Sequence, residues 1–276
     1  MHRTILQRCL PGLAAAVLVA GFAMPAAAAQ CGNTSSGFQR WVQQFRQEAA
    51  SEGFSPRTLD RAFDGISYRS RTIAADRGQH SFKLSLDAFM KKRGSATIVA
   101  KGKRLKRKYA SLFSSIESRY GVPPGPLLAI WGMETGFGSF MGNDRAIPAL
   151  ATLAYDCRRS AFFTDQLYAA LTLVQRGELA PSEMVSARHG ELGQTQFLPT
   201  NYVKYAVDGD GNGRRDLIHS TADALASTAN YLRAHGWRAG AGYQPGQANF
   251  SVLQSWNDAS VYQRALAIMG SQIDGG

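Results

Sequence analysis

The chain has 276 residues, with 31 Lys and Arg against 20 Asp and Glu, and a formal net charge of +11. Hydrophobic residues make up 45% and charged residues 18% of the sequence, a balance that excludes an intrinsically disordered protein. Three cysteines are too few for a disulfide-scaffold miniprotein or a multi-cysteine zinc array. No apolar run reaches the roughly 20 residues that span a bilayer, so a basic globular protein with its own core is predicted.

Residues 1–29 have the pattern of a secretory signal peptide. Arg3 and Arg8 form a positive start, an apolar stretch follows as far as Met24, and three alanines at 27–29 offer a cleavage site. The alternative, a membrane anchor, is disfavoured because the apolar stretch is short. Cleavage removes two arginines and no acidic residue, which leaves a chain with a net charge of +9 and no transmembrane segment.

Export would change how the cysteines are interpreted. Cys9 leaves with the signal, so Cys31 and Cys157 remain as a pair in an oxidising compartment. We therefore predict a disulfide that ties the N-terminal tail to the middle of the chain. The alternative is two independent free thiols.

The segments after the signal mostly show helical periodicity. Apolar residues recur at helical spacing from Phe38 to Phe45, after the start signal at Ser55, and from Phe163 to Val174. Alternating strand patterns are scarce. The sequence predicts a mainly α architecture.

Two features divide the chain. Residues 101–108 contain six basic residues in eight, and residues 121–126 (GVPPGP) form a rigid turn before the next helix. We predict a helical N-terminal subdomain over 30–104 and a larger core over 105–276. The basic run lacks interleaved aromatic residues, so a solvated helix face, or attraction to an anionic polymer met after export, is favoured over nucleic-acid binding.

A lone carboxylate follows an apolar helix pattern. Glu134 is the only acidic residue between Glu117 and Asp144, and Gly136 and Gly138 end the helix just after it. Apolar surroundings and the negative end of the helix dipole both raise the pKa of a carboxyl group, and a general acid needs such a raised pKa. The alternative is an exposed glutamate at the rim of the helix.

Residues 208–216 (DGDGNGRRD) have the spacing of a cation-binding loop. Asp208, Asp210, Asn212 and Asp216 supply oxygen atoms at alternating positions, with a glycine at the sixth. A structural Ca²⁺ or Na⁺ site is predicted, against the alternative of a Gly/Asp-rich surface turn. Asp223 could serve as a further ligand, but with Ser220 it also resembles a capping box that begins a helix.

Five motifs, in order, resemble those of the B family of lytic murein transglycosylases. They are residues 131–138 (WGMETGFG), 149–159 (ALATLAYDCRR), 190–199 (GELGQTQFLP), 229–237 (ANYLRAHGW) and 256–257 (WN). The resemblance covers nearly the whole chain after the signal. It implies a lysozyme-like α+β catalytic core with a helical N-terminal subdomain.

The resemblance also implies a reaction and its residues. Members cleave the β-1,4 bond between N-acetylmuramic acid and N-acetylglucosamine and form a 1,6-anhydro product, with one glutamate, here Glu134, as acid and base. The substrate's own acetamido oxygen takes the role of the second carboxylate that ordinary glycosidases use. Matching substrate-binding positions are Arg158, Arg159, Gln194, Gln196, Phe197, Tyr231 and Asn257. Phe197 could equally be a core residue, and one of the arginines could serve an internal ion pair.

Two departures from the family pattern stand out. Residues 186–190 read SARHG, so Arg188 replaces a common aromatic residue and His189 replaces a small one. Phe89 stands where a tyrosine is common. The departures at 186–190 keep one alternative open, a non-catalytic peptidoglycan-binding scaffold on the same fold. A muramidase that uses water is a further alternative.

The implied setting is the periplasm, with peptidoglycan glycan strands as the partner. Other cell-wall enzymes are candidate partners, and nucleic acid is not expected as one. No cofactor is expected to be required.

Overall fold

The computed structural model describes residues 29–78 and 84–275. The predicted signal peptide, apart from Ala29, lies outside the described residues. Within them no helix is both long enough and apolar enough to cross a membrane.

The mainly α prediction is confirmed. A short 3-10 helix covers Ser35–Gly37. The α-helices of the described residues are α1 Phe38–Ser51, α2 Pro56–Phe63, α3 Ser70–Arg77, α4 Leu86–Arg93, α5 Ser95–Lys108, α6 Ala110–Tyr120, α7 Pro124–Thr135, α8 Ala146–Tyr155, α9 Ser160–Gln175, α10 Pro199–Tyr205, α11 Thr221–Ala234, α12 Phe250–Trp256 and α13 Ser260–Asp274. Strands β1 (Asp144–Arg145) and β2 (Val185–Ser186) form a small antiparallel sheet in which Asp144 lies opposite Ser186.

Helix α7 lies at the centre of the core because it is apolar on nearly every side. Leu127, Leu128 and Ile130 are fully buried there, and α5 and α13 pack against the helix. A helix without a polar face belongs in the interior. The end of α7, where Glu134 lies, is therefore held by surrounding helices.

The N-terminal helices pack on α8 and α9 through aromatic residues. Phe38 and Trp41 of α1 contact Tyr155 at ring-centroid distances of 5.7 and 5.9 Å. The Cys31–Cys157 disulfide, with Cα atoms 5.0 Å apart, closes the same junction. One hydrophobic cluster runs through both regions, and helix α5 spans the subdomain boundary predicted between 104 and 105.

The helix starts predicted at Ser55 and Ser220 are confirmed, but the capping box predicted at Asp223 is not formed. The Ser55 side chain caps α2 by accepting from Thr58 N–H, and Ser220 caps α11 by accepting from Asp223 N–H, both at 3.2 Å. The Asp223 carboxylate does not complete a capping box. It accepts instead from the backbone N–H groups of Gly209 and Asp216, because the predicted cation-binding loop, residues 208–216, folds back over the start of α11.

The basic run on α5 is only partly a solvated face. Lys101 Nζ donates to the carbonyl oxygen of Gly136 at 3.2 Å, in the turn that follows α7. Lys106 Nζ donates to the carbonyl oxygen of Asp274 at 2.7 Å, at the end of α13. Two of the lysines thus hold backbone carbonyl groups at helix C-termini, where a cation is favourable.

Candidate active site

Glu134 lies in the last turn of α7, as predicted. Gly136 ends the helix in the left-handed conformation, with φ of 58°, and Phe137 and Gly138 follow with φ of 65° and 74°. Glycine adopts this conformation without strain, whereas Phe137 needs support. Its ring packs edge-on against Trp131 at 5.4 Å and beneath the Lys101 ammonium at 5.0 Å.

The turn after α7 is also tied to the next motif. Thr135 Oγ1 donates to the carbonyl oxygen of Gln194 at 2.5 Å and accepts from Gly138 N–H at 2.8 Å. The threonine beside Glu134 therefore links the turn after α7 to the loop of the 190–199 motif.

Two donors hold one carboxylate oxygen of Glu134. Tyr262 O–H donates to Oε1 at 2.5 Å and Trp256 Nε1–H donates to the same atom at 3.1 Å. Glu134 is half-buried and lines a cavity, so its carboxyl group is both held and reachable.

Burial raises the pKa of Glu134 above its ordinary value, and the negative charge of Glu191 raises it further. The hydrogen bonds from Tyr262 and Trp256 and the charge of Arg93 act in the opposite direction. Burial is the largest effect, so the environment favours the protonated form that a general acid needs.

The cavity beside Glu134 has a volume of about 590 Å³. Its lining includes six of the residues predicted from sequence: Glu134, Arg159, Gln196, Phe197, Tyr231 and Asn257. Arg158 and Gln194 do not belong to the lining. Phe197, Tyr231 and Trp256 pack edge to face, with centroids 5.2 to 6.0 Å apart, as an aromatic wall.

Residues 37–247 match a sequence model of the transglycosylase SLT domain. The chain belongs to this family.

Relatives of this SLT domain include solved structures. The crystal structure of SltB3 from Pseudomonas aeruginosa, in complex with NAG-anhNAM-pentapeptide, has a TM-score of 0.81 and 32% identity and covers 87% of this chain and 80% of that chain. Escherichia coli Slt35 in complex with calcium has a TM-score of 0.73 at 23% identity, over 89% of this chain and 96% of that one. The predicted lysozyme-like fold is confirmed.

A curated relative is the membrane-bound lytic murein transglycosylase B of Escherichia coli (strain K12). It is 40% identical to the SLT domain over 119 residues, which are 43% of this chain. The matched region spans 33% of that relative's length. The family resemblance of the motifs is thus confirmed.

The two glutamines of the 190–199 motif have different surroundings. The Gln194 side chain is buried, and its amide donates to the carbonyl oxygen of Ile218 at 3.2 Å and accepts from Thr221 Oγ1 at 3.3 Å. Gln196 lines the cavity in a left-handed conformation, with φ of 50°, and its amide donates to the carbonyl oxygen of Gly193 at 2.9 Å. Spacing in the sequence could not separate these two environments.

Both arginines of the 149–159 motif form ion pairs with one buried carboxylate. Arg158 and Arg159 contact the two oxygens of Asp76, which is 8% exposed. Arg159 also extends over the rings of Phe162 and Phe163, at 5.9 and 4.7 Å from their centroids. The ion pair holds Arg159 at the edge of the cavity, with close to half of its side chain still exposed.

Of the two residues at 186–190 that depart from the family pattern, His189 lines the cavity and Arg188 does not. Ala187, His189 and Glu191 line it, and His189 Nδ1 lies 3.8 Å from Glu191 Oε1. Burial lowers the pKa of His189, although the charge of Glu191 opposes this shift. His189 Nε2 is buried and has no hydrogen-bond partner within residues 29–78 and 84–275. Arg188, which replaces the common aromatic, is exposed and does not line the cavity.

Sequence reasoning missed several residues of the site. Tyr262 and Trp256 reach Glu134 from 128 and 122 residues further along the chain. Arg93 and Phe162 line the cavity, and Phe162 is 42% exposed. Phe89 is buried below the cavity, with its ring 6.2 Å from Tyr262. One signal in the sequence could have indicated Phe162, because this aromatic residue lies three positions after Arg159 of the 149–159 motif.

The loop at 208–216 brings three carboxylates together. One oxygen each from Asp208, Asp210 and Asp223 lies within 4.8 Å of the others. Asp216 instead accepts from the N–H groups of Ile218 and His219, at 3.0 and 2.9 Å. Backbone hydrogen bonds, led by that of Gly213, lower the pKa of Asp208 and so favour its carboxylate form.

Proposed function

We propose that this SLT domain is a peptidoglycan lytic transglycosylase. It cleaves the β-1,4 bond between N-acetylmuramic acid and N-acetylglucosamine and leaves a 1,6-anhydro product. The observation that carries the proposal is the carboxyl group of Glu134, held by Tyr262 and Trp256 at the wall of a 590 Å³ cavity. The complexes of SltB3 with NAG-anhNAM-pentapeptide and with NAG-NAM-pentapeptide support the same chemistry in a relative.

In the first half of the reaction, protonated Glu134 gives its proton to the glycosidic oxygen as the bond from that oxygen to C1 breaks. The substrate's acetamido oxygen stabilises the positive charge at C1. Burial of Glu134 supports this step because it raises the pKa of the carboxyl group.

In the second half, ionised Glu134 takes the proton of the C6 hydroxyl group while that oxygen bonds to C1. The carboxyl group returns to its protonated state, and no water is consumed. Tyr262 and Trp256 donate to Oε1 and stabilise the carboxylate between the two halves.

Substrate recognition is assigned to the cavity lining. Gln196 and Asn257 offer amide groups to the N-acetyl and hydroxyl groups of the sugars. Arg159 faces carboxylates of the peptide stems, whereas Arg158 and Gln194 support the site from behind. Phe162, exposed at the edge, stacks on the face of a sugar ring and supplies the aromatic surface that Arg188 no longer provides.

One observation favours a second candidate, a muramidase that uses water. Glu191 is a second carboxylate in the same cavity, and ordinary glycosidases use a pair of acids. In that reaction Glu191 would take a proton from the attacking water, and the product would carry a reducing end.

Glu134→Gln and Glu191→Gln form a matched pair of variants for the test. The proposal predicts that Glu134→Gln releases soluble fragments from purified sacculi at least about 100-fold more slowly than wild type, because a general acid contributes that much. Glu191→Gln keeps the wild-type rate within a few-fold. Full activity of Glu134→Gln would overturn the assignment, and an equally large loss in both variants would favour the muramidase, which needs both carboxylates.

We also propose that the 208–216 loop binds a structural Ca²⁺ or Na⁺ ion. Asp208, Asp210 and Asp223 would supply carboxylate oxygens and Asn212 an amide oxygen, the hard ligands that such ions prefer. The calcium complex of Slt35 supports the proposal from a relative of the same fold. Asp216 would orient the loop through His219.

The proposed location is the periplasm. The disulfide between Cys31 and Cys157 supports it, because such bonds persist in oxidising compartments. Glycan strands are the proposed partner, and other cell-wall enzymes remain candidates.

A further inference from the structure

A second cavity, of about 230 Å³, lies where the start of α3 meets strand β1. Arg69 and Arg71 line it from the N-terminal region, and Arg145 lines it from β1. The ring of Tyr68 forms part of the wall and is fixed edge-on against Phe38 at 5.7 Å. No part of the proposed reaction uses this cavity.

The charges around this arginine cavity are not balanced by the protein. Asp144 is the one carboxylate in the lining, against three guanidinium groups. None of these three arginines has an ion-pair partner within the described residues, whereas the nearby Arg77, Arg158 and Arg159 all pair with buried carboxylates. Three like charges around one cavity repel each other, so the arrangement favours an anionic ligand.

The arginine cavity is connected to the catalytic cavity through the small sheet. Asp144, in the arginine cavity, lies opposite Ser186 in the β1–β2 pair. The next residue, Ala187, lines the catalytic cavity. A ligand that extends from the catalytic cavity across this sheet would therefore bring its anionic groups to the three arginines.

We propose that the arginine cavity is a binding site for a carboxylate of the peptide stem attached to the glycan strand. Guanidinium groups bind carboxylates through paired, charge-assisted hydrogen bonds, and Arg69, Arg71 and Arg145 offer three such groups. The identity of the ligand rests on the proposed function. The site then makes the domain select strands that carry peptide over bare glycan.

The test compares two triple variants of the full mature chain with equal change in charge. One is Arg69→Gln/Arg71→Gln/Arg145→Gln, and the control is Arg104→Gln/Arg107→Gln/Lys108→Gln, three exposed basic residues of α5. Binding is measured by calorimetry, each in the background of Glu134→Gln to prevent turnover. The probes are a disaccharide that carries its peptide stem, the same disaccharide after an amidase has removed the peptide, and inorganic phosphate.

We expect the cavity variant to bind the peptide-bearing disaccharide about tenfold or more weakly than the control variant does. Both variants should bind the peptide-free disaccharide equally. Equal affinity of the two variants for the peptide-bearing probe would overturn the proposal. A defect confined to phosphate binding would also overturn it, because the site would then take phosphate rather than a peptide carboxylate.

The proposed transglycosylase activity is tested by product release, separately from the binding measurements that test the arginine cavity. With Glu134 restored, both triple variants should still release anhydro products from peptide-free glycan strands. Absence of anhydro products from both variants and from wild type would contradict the transglycosylase, whatever the binding results.

Discussion

The environment of Glu134 combines burial, which favours its protonated form, with two donors that favour its ionised form. A residue that must act first as acid and then as base needs both, because each form has to be reached in every cycle. Tyr262 provides the shorter of the two hydrogen bonds. We assign Tyr262 a positioning role, and the pH dependence of the rate can separate this role from a purely structural one.

Tyr262→Phe should lower kcat about tenfold or more and move the high-pH limb of the rate profile to higher pH. The sign follows from the hydrogen bond, which lowers the pKa of Glu134 by stabilising its carboxylate, so that its loss raises the pKa. Tyr243→Phe is the control, because Tyr243 donates to Asp274 at 2.7 Å, away from the cavity lining. A profile unchanged in Tyr262→Phe would contradict the role given to this hydrogen bond.

Phe162 and Phe140 are both exposed phenylalanines, at 42% and 60%, but Phe162 alone of the two lines the cavity. Phe162→Ala should raise KM for glycan strands about tenfold and leave kcat within a few-fold, because stacking acts on binding. Phe162→Trp should restore the affinity. Phe140→Ala is the matched control, and an equal effect of both alanine variants would refute stacking on Phe162.

Among the secondary-structure elements, helix α11 and the loop at 208–216 that precedes it form one unit. The Asp223 carboxylate accepts from Gly209 and Asp216 N–H groups, so a helix residue organises the loop that precedes it. This arrangement explains why the capping-box prediction failed at Asp223, since the same residue cannot also reach back to the Ser220 N–H. A cation bound to the loop would therefore also stabilise the start of α11, because Asp223 belongs to both.

Adding calcium to chelator-treated protein should raise the melting temperature by several degrees, because a ligand that binds only the folded state stabilises it. Asp208→Asn and Asp223→Asn should lose most of this increase, as each removes a charged ligand. Asp60→Asn, at an exposed ion pair with Arg46, should keep it. A melting temperature that calcium leaves unchanged in the wild type would identify the loop as a surface turn.

The whole molecule is tied together at the junction of the N-terminal helices with α8. The disulfide closes a sequence separation of 126 residues, and beside it Arg77 pairs with the buried carboxylate of Asp156 at 2.7 Å. Asp76 in the same helix holds Arg158 and Arg159. The N-terminal region therefore positions one edge of the catalytic cavity.

Cys31→Ser/Cys157→Ser should unfold at a lower temperature than wild type. Closing a loop of this length is worth about 4–5 kcal/mol in the chain-entropy account, which is an upper value. Thermal unfolding with and without a thiol reductant measures it, and the reductant should affect the wild type but not the variant. Equal melting temperatures of the oxidised wild type and the variant would show that the disulfide contributes nothing to stability.

Local signals in the sequence sufficed for several of the helices and for the position of Glu134 in the last turn of α7. An apolar run that ends in two glycines fixes the end of α7, and Ser55 and Ser220 mark helix starts that the structure contains. Contacts between distant segments could not be predicted in this way. Tyr262 and Asp76 reach their partners only through the packing of α13 and α3, and nothing near them in sequence indicates a role. Trp256 belongs to the 256–257 motif, but the motif does not show that its indole reaches Glu134 through the packing of α12.

The same limit applies within motifs. Gln194 and Gln196 are two residues apart, yet one side chain supports the loop and the other lines the cavity, because Gln196 adopts a left-handed backbone conformation. Residue type and spacing indicate which segment forms the site. The backbone conformation decides which side chains line the cavity.

In the proposed reaction Glu134 drives cleavage without water. The most direct test digests purified sacculi in water enriched in the heavy oxygen isotope and analyses the muropeptides by mass spectrometry. We predict products one water lighter than reducing-end muropeptides, free of the heavy isotope at C1, and absent with Glu134→Gln. Reducing ends that carry the heavy isotope would contradict the account and establish a muramidase.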